Sequence, residues 1–258
     1  MHLNMNSARR CSKLSWLGLA QASLVTAAYC AGFGITVPNE FFNRIGNSAS
    51  ELPFDTGTNS IRYQQVFDAS QFGQIGPGGA VITMLSFNVA ASGQGFDTTL
   101  PSIRIDLSTT TKLPDALSPT FADNVGADDA IVFGTGPLSI RAGGPAGGAF
   151  DIHVPLARPF FYLPSAGNLL LDVRNFGGGN TTFFDGVFTV GDSVSMVYGT
   201  PADGSGSVNS SDGRLNTFGL ITRFEGTLVP EPAPLLLLIL GLCAVALAAR
   251  RRKAGWRT

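Results

Sequence analysis

The stretch "SIRIDLSTT", residues 102–110, decides the kind of fold. Ile103, Ile105 and Leu107 alternate with Arg104 and Asp106. A strand therefore puts three branched apolar side chains on one face and a charged pair on the other, whereas a helix would scatter them. The pattern recurs. In "AFDIHVPL" (149–156), Phe150, Ile152 and Val154 alternate with Asp151 and His153. In "VITMLSFNVA" (81–90), Val81, Leu85, Phe87 and Val89 fall on one side with Thr83 among them, and "NTFGLITRFEG" (216–226) sets Phe218, Leu220 and Phe224 against Arg223 and Glu225. "IRYQQVF" (61–67), "NLLLDVRNF" (168–176), "FFDGVFTV" (183–190) and "SVSMVYG" (193–199) complete the strand candidates. Clusters of Gly, Pro, Asn and Asp separate these runs, and none sustains a helical stripe beyond two turns. Eight or more short strands predict an all-β, jelly-roll-like β-sandwich ectodomain over residues 33–228.

Two places pair adjacent phenylalanines, "RPFFYLP" (158–164) and "TTFFDG" (181–186). One ring of each pair points away from the core of a strand. The prolines around the first pair predict an edge strand. Packing against neighbouring loops is the expectation there; stacking on carbohydrate is the alternative.

Of the 258 residues, 32 are Gly and only 14% are charged, a composition suited to an extracellular β-rich domain. Between Lys13 and Arg250 lie nine of the 17 cations and all 18 acidic residues, a net of −9. Nucleic acid is a poor partner for such a domain, because affinity for it rests on neutralising phosphates. The cysteines, Cys11, Cys30 and Cys243, all lie towards the ends, so no disulfide framework is expected.

The ends carry the address. Arg9, Arg10 and Lys13 precede an apolar run from residue 14 to 28, the layout of a secretory signal peptide over residues 1–28 with cleavage after Ala28. At the other end, residues 233–249 form 17 uncharged residues. As a helix they would span about 25 Å, enough for one short transmembrane segment. Nine of them are Leu, Ile or Val, worth about −3 to −5 kcal/mol on insertion in sum. Arg250, Arg251, Arg252 and Lys253 follow as a cytoplasmic stop.

Pro230, Glu231 and Pro232, the Leu-rich span and the basic cluster, in that order over residues 229–253, resemble the PEP-CTERM sorting signal of Gram-negative bacteria. The resemblance implies that an exosortase in the inner membrane recognises and processes the tail near the triplet. It implies a membrane-anchored precursor, then delivery to the cell surface or an exopolysaccharide-rich extracellular matrix, as in a biofilm. The prolines suit such a place because they supply no backbone donor and keep helix from spreading outward. The middle also resembles uncharacterised ectodomains found with such tails, through "RYQQVFDASQF" (62–72), "LLLDVRNFGGG" (169–179) and "GLITRF" (219–224). That likeness implies no activity. A partial match of "LPFDTG" (52–57) to a sortase box has one residue too many and is read as a loop.

Sites of chemistry are sparse. His153 is the one histidine after residue 2, and no nucleophile elbow, P-loop or dinucleotide fingerprint occurs. Asp128 and Asp129 adjoin, so on a strand they would face opposite ways and serve acid–base work poorly. As a loop they could give oxygens to calcium together with Asp123, the weak metal candidate; no other cofactor is expected. The loop 202–213 departs from the calcium-loop template, with Arg214 where Glu is wanted. The expectation is a non-catalytic exported protein. A carbohydrate-binding module of the matrix is the alternative, followed by a glycan hydrolase or lyase working through carboxylates alone.

Overall fold

Alternation of branched and aromatic residues with polar ones, cut by turn residues, yields thirteen strands and four short 3-10 turns in the computed structural model, which describes residues 31–145, 149–199, 207–230 and 241–242. The strands are β1 (Gly32–Val37), β2 (Ser48–Ser50), β3 (Ile61–Phe67), β4 (Ala80–Phe87), β5 (Phe96–Thr110), β6 (Ala130–Ala142) and β7 (Ile152–Tyr162). They continue with β8 (Asn168–Asn175), β9 (Phe184–Phe188), β10 (Val194–Gly199), β11 (Arg214–Asn216), β12 (Phe218–Leu220) and β13 (Thr222–Leu228). Three antiparallel sheets result, with orders β1-β13-β4-β7, β11-β10-β3-β8-β5-β6 and β12-β9-β2. The fold is all-β.

One apolar core joins the four- and six-stranded sheets. Ile35, Ile82, Leu85, Phe87, Val154 and Phe224 come from the first; Tyr63, Phe67, Ile105, Leu107, Leu171 and Val173 come from the second. Phe224 packs edge-on against Phe67 at 4.8 Å and Phe72 at 5.3 Å between ring centroids. Burying each such ring contributes roughly 1.5–3 kcal/mol.

The residues 102–110 obey the predicted alternation, with Ile103, Ile105 and Leu107 in the core. Residues 81–90 do so only in part. Ile82 is buried and Val81 is not, because the ladder to β13 shifts register: Ile82 and Met84 pair with the adjacent residues Gly226 and Glu225. One extra residue at Thr83 reverses the phase, as a bulge does. The single strand expected over 216–226 is two, β12 and β13, broken at Ile221. Gln65 explains how the break is tolerated. Its amide reaches through the core, accepts from Leu220 N at 2.9 Å and donates to Leu220 O at 2.8 Å. It replaces a missing stretch of ladder, so the N–H and C=O of Leu220 are both satisfied.

The outer face of the six-stranded sheet departs most from expectation. Polar residues alternate there as predicted, yet Asp106 is only 2% exposed and Gln64 is fully buried. The β5–β6 connection folds over them and sets Leu117 and Phe121 against Val66, Leu170 and Val197 as a second apolar cluster. Gly126 lets this cover lie close. A Cβ there would stand 1.7 Å from Thr109 O.

The paired phenylalanines split as predicted. Phe160 is 4% exposed and Phe161 53%, on β7 at the edge of its sheet; Phe184 is buried and Phe183 exposed.

Candidate functional site

The sorting region begins where the sheet stops. β13 is an interior strand between β1 and β4, and Phe224 and Thr222 on it are fully buried. Leu228 N donates to Ala31 O and Val229 N donates to Gly79 O at 2.9 Å. Pro230 comes next and has no N–H to continue the ladder. The sheet is thus closed by the last residues before the proline triplet, and residues 31–37 enter beside it through the β1–β13 pairing. Glu231, Pro232 and the basic residues Arg250, Arg251, Arg252 and Lys253 lie outside the described residues, as do the signal peptide (1–28) and most of the apolar run. Gly241 and Leu242 within that run are helical. Among the described residues no helix is long and apolar enough to cross a membrane.

A cleft lies where the edge strands β6 and β7 meet. Two adjoining depressions of about 430 and 500 Å³ share Asp97, Arg141, Asp151 and His153. Asp97 and Arg141 are ladder partners across β5 and β6. Phe96 lines one end and Ser139 the other. Asp151 accepts from Gly143 N at 2.9 Å through Oδ2, while its Oδ1 is buried with no partner. Behind the cleft runs a polar chain: His153 Nδ1 lies 3.0 Å from Ser86 Oγ, Ser86 donates to Glu225 at 3.4 Å, and Arg223 Nε donates to Glu225 at 3.0 Å. Ser86 is fully buried, so its hydroxyl orients the imidazole and cannot reach a substrate. A concave site of this size with a few planar polar groups and one aromatic ring suits a small polar ligand or one or two sugar units.

The three aspartates considered for calcium do not converge. Asp123 accepts from Ser118 Oγ at 2.9 Å, and Asp128 accepts from Thr109 N at 2.6 Å, fastening the cover to β5. Burial raises the pKa of Asp129, helped by Asp106 and Asp172. No group of three or more His, Cys, Asp or Glu placed to hold a metal occurs among the described residues.

Sequence reasoning passed over the charged groups under the cover. Arg62 donates to Asp172 at 2.6 Å and stacks on Phe121, 4.7 Å from the ring centroid. Gln64 donates to the same carboxylate at 2.7 Å and to Phe121 O, and it accepts from Asn124. Arg104 holds Asp106 through both Nε and Nη2. Burial nonetheless keeps the Asp106 pKa above its ordinary value, against the pull of Arg104. The signal was present: Arg62 and Gln64, and likewise Asp172 and Arg174, stand two places apart in strands otherwise apolar enough to be buried on both faces.

These features define an all-β domain that ends directly in a sorting tail. Residues 228–253 match the family model of the PEP-CTERM protein-sorting motif. The chain therefore carries the motif of exported proteins whose membrane-anchored precursors an exosortase processes. The chain matches no curated protein and no solved structure.

Proposed function

We propose that this protein is a non-catalytic surface or extracellular-matrix component, a jelly-roll-like β-sandwich exported on a signal peptide, held by a short transmembrane tail and released by an exosortase. The observation that carries this is the sorting motif starting within the last residues of β13. Because β13 lies inside its sheet, the domain closes only after the chain up to Pro230 has crossed the membrane. The precursor then presents a finished sheet beside the inner membrane, with the proline triplet one residue beyond its last hydrogen bond. Replacing Pro230 and Glu231 together by Ala in the native host is expected to leave unprocessed precursor in the membrane fraction. Release of mature protein at the usual level would refute the sorting reading.

The cleft between β6 and β7 favours a second reading, a carbohydrate-binding module of the exopolysaccharide matrix. Asp97, Arg141, Asp151 and His153 would take sugar hydroxyls, and Phe96 would lie against a ring. Glycan-array binding that Asp151→Ala abolishes is the expected result; silence across neutral and acidic glycans would remove this reading.

A further inference from the structure

Two of the stretches that give the ectodomain its resemblance, residues 62–72 and 169–179, run side by side as β3 and β8, and their charges do not all cancel. Register sets Arg62 opposite Arg174 and Arg174 opposite Arg104, so three guanidinium groups form one row across β3, β8 and β5. Strands lie about 4.8 Å apart, and like charges set directly opposite one another destabilise a sheet. The flanking members have partners: Arg62 has Asp172 and Arg104 has Asp106. The middle one has none. Among the described residues Arg174 makes no ion pair, and its Nε is buried without a hydrogen-bond partner. Asp129, the nearby carboxylate of the cover, forms no ion pair with it either. The Arg174 Nε is closed to any ligand, but the side chain as a whole is half-buried, so its outer guanidinium nitrogens, in no ion pair among the described residues, can meet an acceptor from outside the chain.

What lies beside it narrows the chemistry. Phe176, two residues further along, keeps its N–H on Ser102 O and is 42% exposed. A planar cation two residues from an exposed aromatic side chain matches an anionic group borne on a ring with an apolar side. The domain around it is acidic, so general attraction to polyanions is weak and binding must be local.

We propose that Arg174, with Phe176 beside it, is a subsite for the anionic group of an acidic glycan. The guanidinium takes the carboxylate or sulfate oxygens and the ring stacks on the sugar. The nature of the ligand rests on the matrix reading above; the site itself does not use the sorting tail or the β6–β7 cleft.

The test is affinity electrophoresis of the full-length chain in detergent through gels containing polygalacturonate, dextran sulfate or neutral dextran. Retardation by an acidic polymer and not by neutral dextran is expected, and the polymer that retards it separates a uronate ligand from a sulfated one. Arg174→Gln should weaken that retardation about tenfold or more, the scale of a lost charge-assisted bidentate contact. Arg174→Lys, which keeps the charge without the fork, should fall between the two. Since Arg174→Gln removes a like charge from between two arginines, its melting temperature should equal or exceed that of the parent chain. Retardation by neither acidic polymer would mean that water alone serves the outer guanidinium nitrogens, and overturns the inference. So would equal retardation of parent and folded Arg174→Gln, or equal retardation by neutral dextran. Tail processing of Arg174→Gln in the host should be unchanged, because Arg174 lies outside the sorting motif.

Discussion

On the inner face of the six-stranded sheet, Tyr63, Phe67, Leu107 and Leu171 lie in the apolar core; on the outer face of the same strands, Arg62, Gln64, Asp106 and Asp172 are buried nearly as well. The two faces are held by different physics. Apolar burial is nondirectional, so each ring on the inside contributes by area and tolerates its neighbours' changes in part. The outer groups are favourable only as a set, because each cancels another's desolvation through a short directional bond. Removing one apolar side chain leaves a void. Removing one charge leaves its partner buried and alone.

Truncating the inside tests the first half of this contrast and should have the largest effect. Phe224→Ala empties the space against Phe67 and Phe72 on an interior strand. A loss of about 4–5 kcal/mol in urea unfolding is expected, near the top of the range for buried phenylalanine. Asp172→Ala tests the second half. It strands Arg62 and Gln64, whose bonds to this carboxylate are 2.6 and 2.7 Å, and should cost about 3 kcal/mol. Combining it with Arg62→Met should restore part of that loss, since the pair removed together leaves no orphan charge. If Asp172→Ala costs under about 1 kcal/mol, as an exposed pair does, the outer face belongs with the solvent surface and the contrast fails.

The same contrast explains what could be read from the sequence. The alternation in 102–110 was sufficient for the strand and its core face, because period-two burial is a local property. The bulge at Thr83 was not legible: nothing in "VITML" marks which residue is extra, and the choice is made by the ladders to β7 and β13. Burial of Arg62 and Asp172 was equally hidden. Their cover arrives from the β5–β6 connection, where Phe121, Asn124 and Asp128 read as ordinary loop residues. The sorting motif could be read because it is linear, with order and composition carrying its meaning. The cleft between β6 and β7 could not, since Asp97, Arg141 and His153 belong to three strands and meet only through the fold.

Carboxylates grade the contrast from open to covered, and this yields the smallest expected effect. Asp212, exposed, is held below its ordinary pKa by the Ser211 and Thr120 hydroxyls. Asp106, under the cover, is raised by burial in spite of Arg104. Asp192 sits at the rim, in the β9–β10 turn. Burial, with help from neighbouring Asp115, pushes it up to about 6, although Val194 N and Thr189 N both donate to it. Its native pKa thus exceeds the ordinary value of about 4, so over that window the folded chain binds the proton more readily than the unfolded one. Stability must therefore fall as pH rises from about 4 to about 6 and be flat above. The side chain is only half-buried, so solvent screening limits this to about 1 kcal/mol or less. Carbon-13 carboxyl NMR should show Asp192 titrating near 6 and Asp212 well below it. If both titrate together, the rim is as open as the loop, and the cover protects only the groups directly beneath Phe121.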